Sequence, residues 1–159
     1  MMKGEMHMKK LDIVAKQLEY VTWLDTLTSL SEESAKTPYQ PGKWSPKEII
    51  MHLAEWDRFT FEERLPHMKE GAVLEKFPAF EEFNAKAAAR ASQQTFEETI
   101  AHAKRERQRI TNQIKEVNEQ QWSEKFQIGK NTLSIEEYFT DFSEHDEHHK
   151  RQIEIVRGR

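Results

Sequence analysis

The chain has 159 residues, 33% of them charged and 36% in the hydrophobic set, with a formal net charge of -4 and no cysteine. That length suits one domain with a real core; the missing cysteine excludes disulfides, thiolate catalysis and a Cys-based metal site, and the acidic balance gives no electrostatic case for a nucleic-acid partner. No apolar run approaches the ~18 residues of a membrane span and Met1 to Lys10 has no apolar signal core, so a single domain over 1–159, ordered over about 10–157, and a cytoplasmic location are expected.

Residues 1–9 read as a frayed start. From Lys10 to about Leu30, the residues Leu11, Val14, Leu18, Val21, Leu24 and Leu27 recur at threes and fours, which predicts an amphipathic helix. Tyr20 and Trp23 widen or rim its apolar face. Ser31 to Lys43 is a polar connection with a turn signal at Pro41-Gly42. Trp44-Ser45-Pro46-Lys47-Glu48 then predicts a capped helix start. Ser45 is the N-cap, Pro46 stands at N1 where its missing N–H costs nothing, and Glu48 at N3 completes a capping box. Trp44 can pack near Ile49 as a staple. The helix continues through Ile50, Leu53, Trp56, Phe59 and Phe61 and stops near Pro66. His52 lies on the face that carries Ile49, Trp56 and Phe59.

Residues 67–92 are less periodic; Gly71 and Pro78 interrupt them, and Phe77, Phe80 and Phe83 suit a short helix or a lid-like crossover. Thr95 to about Val117 reads as a third long helix on Phe96, Ile100, Ala103, Ile110, Ile114 and Val117. Arg107 interrupts that stripe and is placed at its rim, and the basic run from Lys104 to Arg109, broken by Glu106, reads as a solvated face. Asn118 to Asn131 is a connection pinned by Trp122 and Phe126, with Gly129 permitting a turn. Ser134 and Glu137 repeat the cap logic. The last helix carries Ile135, Tyr138, Phe139, Phe142, His145, His149, Ile153 and Val156 on one stripe, opposite Glu136, Glu144, Glu147 and Arg151. Four long helices joined by three connections predict an all-α four-helix bundle.

His145 and His149 are four apart and share a helix face, while His148 points about 100° away from His149. Helical HxxxH pairs often only pack or face solvent, but these continue the apolar stripe inward. His52 supplies a third imidazole from another helix. Neutral imidazoles suit Zn²⁺, Ni²⁺ and Fe²⁺, and three protein ligands with an open position make a catalytic rather than a closed structural geometry. Such an ion can activate water or a small thiol, or polarise a carbonyl. Asp146 occupies the place of the Glu in HExxH, but adjacent helix residues diverge, so it is not read as a base. Glu55 follows His52 in the reverse of the order di-iron bundles use, and Glu62 and Glu63 read as solvated. Asp141, four before His145, either accepts a hydrogen bond from that ring or faces solvent. Gln152, three after His149, either orients its free nitrogen or lies on the surface. Trp56 is core or pocket wall. Tyr20 and Asp25 receive no catalytic role.

The segment from Lys43 to Asp57, KWSPKEIIMHLAEWD, resembles the second-helix signature of the DinB-like (DinB/YfiT-like) superfamily of metalloenzymes, and His145 to Ile153, HDEHHKRQI, resembles its last-helix signature. The resemblance implies a divalent metal, zinc or nickel, on His52, His145 and His149. It also implies an up-down-down-up bundle whose long crossover between helices 2 and 3 falls on residues 67–92, and a homodimer. The superfamily includes thiol transferases using mycothiol, bacillithiol or glutathione, and an isomerase. The expected function is therefore divalent-metal-dependent chemistry on a small molecule, either hydrolysis by metal-bound water or transfer of a low-molecular-weight thiol to an electrophile. The rival expectation is a non-catalytic dimeric bundle with a ligand-binding or structural role. Neither nucleic acid nor membrane is expected as a partner.

Overall fold

The computed structural model describes residues 2–76 and 79–158, with backbone alone for 2–8. In chain order the elements are α1 (Met2–Thr26), a short α2 (Glu32–Ala35), α3 (Pro46–Phe59), β1 (Val73–Leu74), α4 (Phe80–Ser92), α5 (Phe96–Glu116), a short α6 (Glu119–Ser123), β2 (Phe126–Ile128), β3 (Asn131–Leu133) and α7 (Ile135–Arg157). The expected capping boxes close at Ser45 with Glu48 and at Ser134 with Glu137, and a third closes at Thr95 with Glu98. Each satisfies backbone N–H groups that the first helical turn leaves without partners.

Cross-helix contacts fix the directions of the four long helices. Lys9 pairs with Glu136 at one end of α1, and Trp23 donates to Glu154 at the other, so α1 and α7 run parallel. Lys10 donates to the carbonyls of Lys115 and Val117 while Lys104 pairs with Asp25, so α5 runs against α1. Asp57 meets Arg107 and Glu62 meets Arg109, so α3 and α5 are parallel. The order is up-down-down-up, and the chain between α3 and α5 must return the length of the bundle. That crossover contains β1 and the 13-residue α4. The sequence expectation at Phe77 lies outside the described residues. Phe80 is exposed, and Phe83 is half-buried near α3.

Three local expectations need correction. The helical backbone of α1 begins at Met2, not at Lys10, and Met1 lies outside the described residues. Its buried stripe is Ile13, Val14, Gln17, Tyr20, Leu24 and Leu27, whereas Leu11 and Leu18 are exposed. Two apolar stripes at helical spacing overlap in this sequence, and packing between α5 and α7 selects the one that brings Tyr20 inward. Arg107 is the third. It is fully buried rather than at the rim of a solvated face. Its Nε and Nη2 donate to Asp57 at 2.8 and 3.1 Å, its Nη1 and Nη2 donate to Asp146 at 2.7 and 2.9 Å, and its guanidinium lies 3.7 Å from the centre of the Tyr20 ring. Two forked carboxylate contacts are what permit this cation inside the bundle.

Apolar side chains fill the bundle on both sides of that ion cluster. Trp122, Phe126, Phe139 and Phe142 join Ile13 and Ile114 toward one end, and Leu24, Ile50, Leu53, Phe96 and Ile153 pack toward the other. A three-stranded sheet in the order β1-β2-β3 closes the first end, with β1 parallel to β2 and β2 antiparallel to β3. Gly129 makes the hairpin turn with φ +61, and a Cβ there would meet the Lys76 side chain at 2.6 Å. Past Phe59 the helix widens into a π turn over Thr60–Arg64 and then tightens over Leu65–His67. Among the described residues no helix is long and apolar enough to cross a membrane.

Candidate metal centre

His52 comes from the second turn of α3, which its capping box and Pro46 start firmly. His145 and His149 come from consecutive turns of α7, whose stripe of Phe139, Phe142 and Ile153 directs them inward. The antiparallel crossing of α3 and α7 brings the three rings together. One nitrogen from each lies within 4.8 Å of the others. Nε2 of His145 faces Nε2 of His149 at 3.2 Å. Two imidazoles bound to one tetrahedral ion at ~2.0–2.1 Å would hold their nitrogens about 3.3 Å apart, so the observed spacing can accommodate one ion between them as well as a hydrogen bond.

The surroundings keep these imidazoles neutral. Burial pushes His52 down to about 4, with further lowering by His145, against a raising contribution from Asn84 of α4. Burial also pushes His149 down to about 4; Gln152 opposes this, and His145 and His52 add to it. His145 is lowered by burial and by His148 and Arg107, while the nearby Asp146 raises it. A neutral ring keeps a lone pair for a cation, which a protonated ring does not.

Ring orientation is set by neighbours. Nδ1 of His149 donates to Oε1 of Gln152 at 2.7 Å, and Nε2 of Gln152 donates to the Tyr39 hydroxyl at 3.2 Å. This chain fixes the tautomer that leaves Nε2 of His149 free. Trp44 lies against His52 with ring centres 4.8 Å apart, and Phe83 meets it edge-on at 6.2 Å. Nδ1 of His52 and Oδ1 of Asn84 are both buried; Asn84 lies close enough to act on the His52 ring, but the two make no well-formed hydrogen bond. Three neutral imidazoles, each turning one nitrogen toward the others, are a donor set that fits a divalent cation.

A cavity of about 350 Å³ opens onto His52 and His145. Trp56 and Phe142 supply apolar wall, Arg64 and Tyr138 supply polar groups, and Asp141 is the only carboxylate among its described lining residues. Trp56 is thus half-buried pocket wall. Asp141 is exposed in that lining, and among the described residues no hydrogen bond joins it to His145. Gln152 does reach His149. His148 is exposed, and Glu62 and Glu63 are exposed. Glu55 is occupied with Arg58 and Arg90. Tyr20 and Asp25 are engaged with Arg107 and Lys104, away from the histidines. Asp146 points to Arg107, as the divergence of neighbouring helix positions requires.

Sequence reasoning missed Tyr39, Arg64 and Asn84, and read Tyr138 only as part of the apolar stripe of α7. Tyr39 sits in an irregular connection 113 residues from its partner Gln152, and no local pattern links them. Arg64 follows Trp56 by eight, which ordinary helical winding would have aligned only loosely; the π turn shifts the register and carries it into the cavity.

Comparison with known proteins agrees with this geometry. No curated protein matches the chain. The solved structure of YfiT from Bacillus subtilis, described as a probable metal-dependent hydrolase with an unusual four-helix bundle topology, superposes with a TM-score of 0.68 over 97% of this chain and 85% of that one, at 16% sequence identity. That identity carries the fold and not the reaction. The sequence profile of the DinB superfamily matches residues 18–153, both histidine segments included, and the chain belongs to that superfamily.

Proposed function

We propose that this chain is a metal-dependent enzyme acting on a small molecule, with His52, His145 and His149 holding one divalent ion, zinc or nickel. The observation that carries the reading is the convergence of three neutral imidazole nitrogens within 4.8 Å beside a cavity that can admit a ligand. With three protein ligands, an ion held there would keep room for water or substrate. An ion there supplies Lewis acidity, which can polarise a substrate carbonyl or activate water or a thiol at neutral pH.

The chain's own groups do the rest. Gln152 and Tyr39 hold the His149 ring. Trp44 and Phe83 shield His52 from solvent. Trp56 and Phe142 exclude water from one side of a bound molecule, which strengthens electrostatic contacts in the cavity. Asp141 offers a carboxylate oxygen to a proton released there. Two reactions fit: hydrolysis, and transfer of a low-molecular-weight thiol to an electrophile. A screen of bacillithiol and glutathione against electrophiles, beside an ester and amide panel, separates them. Turnover must disappear in His52→Ala; turnover that persists in that variant contradicts the proposal.

A second reading, a non-catalytic bundle that pairs with itself, is favoured by Leu11 and Leu18. They lie seven apart on α1 and are 53% and 48% exposed. A dimer with no turnover in either panel would support it.

A further inference from the structure

Arg64 is 6% exposed and lines the cavity beside His52 and His145. Its Nη1 donates to the Tyr138 hydroxyl at 3.2 Å, and its Nε is buried with no partner. Among the described residues no carboxylate forms an ion pair with it, although Glu63 and Glu75 line a groove on its other side. Its charge instead faces three aromatic rings: its guanidinium carbon is 5.1 Å from the Trp56 centre, 5.2 Å from Phe59 and 5.8 Å from Tyr138. Arg107, the other deeply buried guanidinium, holds two carboxylates. Aromatic faces attract a cation, but an interior charge is ordinarily completed by an anion.

We propose that Arg64 is a specificity-determining residue that binds a carboxylate on the substrate. This rests on the reading of the histidine cluster as the reactive centre and names the substrate class for it. The π turn over Thr60–Arg64 brings the guanidinium round to the cavity, and the Thr60 hydroxyl meets the Tyr138 hydroxyl at 3.0 Å, so the hydroxyl beside the cation is itself fixed. A guanidinium fork matches the planar, bidentate geometry of a carboxylate. In the metal-free cavity a monoanion balances the single guanidinium, whereas a dianion such as a phosphate ester would carry an excess charge toward Asp141 in the same lining. The substrate is thus a small molecule with a carboxylate at one end, seated against Arg64 and Tyr138, and its reactive group toward His52 and His145.

The test is calorimetric titration of the full chain with benzoate, its neutral counterpart benzamide, and phenyl phosphate. It is run on zinc-loaded and on metal-stripped protein, so that direct carboxylate–zinc contact is separated from Arg64. In both states benzoate should bind the wild-type chain at least tenfold more tightly than benzamide. Arg64→Gln should erase that preference while the zinc content per chain stays unchanged. Arg64→Lys, which keeps the charge and loses the fork, should lower it several-fold; it serves as the second variant if Arg64→Gln does not fold. Absent or equal binding of benzoate and benzamide would overturn the proposal. So would a preference that survives both substitutions, and so would phenyl phosphate binding more tightly than benzoate to the metal-stripped protein. If the wild-type chain takes up no zinc yet the stripped protein still prefers benzoate through Arg64, the metal reading falls and the carboxylate site stands.

Discussion

Arg107 on α5 grips Asp146 on α7 through hydrogen bonds of 2.7 and 2.9 Å, one residue beyond His145. The same guanidinium holds Asp57 on α3, five residues past His52. One buried cation therefore ties together the two helices that carry the three histidines. Arg107→Met should leave two carboxylates buried without a partner and cost about 3–5 kcal/mol. Urea denaturation measures it. A loss near zero would mean that apolar packing alone sets the crossing of α3 and α7.

Gln152→Leu tests how His149 is held. The substitution removes the acceptor at 2.7 Å from Nδ1 and the link to Tyr39. Metal affinity should fall by about 10–100-fold, the usual effect of losing such a supporting contact. Competition with a chromogenic chelator reads it. Unchanged affinity would show that the ring is oriented by packing alone.

Acid should destabilise the metal-free chain. His52 and His149 sit at about 4 when folded and near their ordinary ~6.5 when unfolded, so between those values the unfolded chain binds more protons and stability falls as pH is lowered. Burial raises Asp57, which acts in the opposite sense, but Arg107 pulls it down and both of its oxygens accept from that guanidinium, so its contribution is the smaller one. Two histidines outweigh one carboxylate, so the net slope has the histidines' sign. The urea midpoint should be lower at pH 4.5 than at pH 6.5, both values lying within the window of about 4 to 6.5 set by the shifts. An equal or higher midpoint at the acid end would contradict the shifts.

Ser134→Ala should cost about 1 kcal/mol by removing the side-chain half of the cap at the start of α7. Thermal unfolding measures the loss. Asparagine at the same position should restore most of it, and a failure to do so would assign the effect to the buried contacts of Ser134 instead.

The capped starts at Ser45 and Ser134 and the inward stripe of α7 were readable because each depends on residues within a few turns of chain. The same is true of the assignment of His145 and His149, and not His148, to one face. Arg107 was misread because a charge on an apolar stripe reads as a boundary unless its partners are known, and Asp57 and Asp146 lie 50 and 39 residues away. Leu11 and Leu18 were misread because two apolar stripes share α1 and only the neighbouring helices decide between them. The hairpin over Phe126–Leu133 is short enough that Gly129 was its sole local signal. Arg64 and Asn84 reach the site through a π turn and a crossover helix, neither of which leaves a regular pattern.

The most direct test of the account is elemental analysis of the untagged chain after reconstitution with zinc or nickel and removal of excess metal. About one divalent ion per chain should remain on the wild type, and His52→Ala and His145→Ala should each lose it while staying folded. A folded wild-type chain that retains no ion, or variants that retain it at the same stoichiometry, would contradict the assignment of the three histidines as a metal centre.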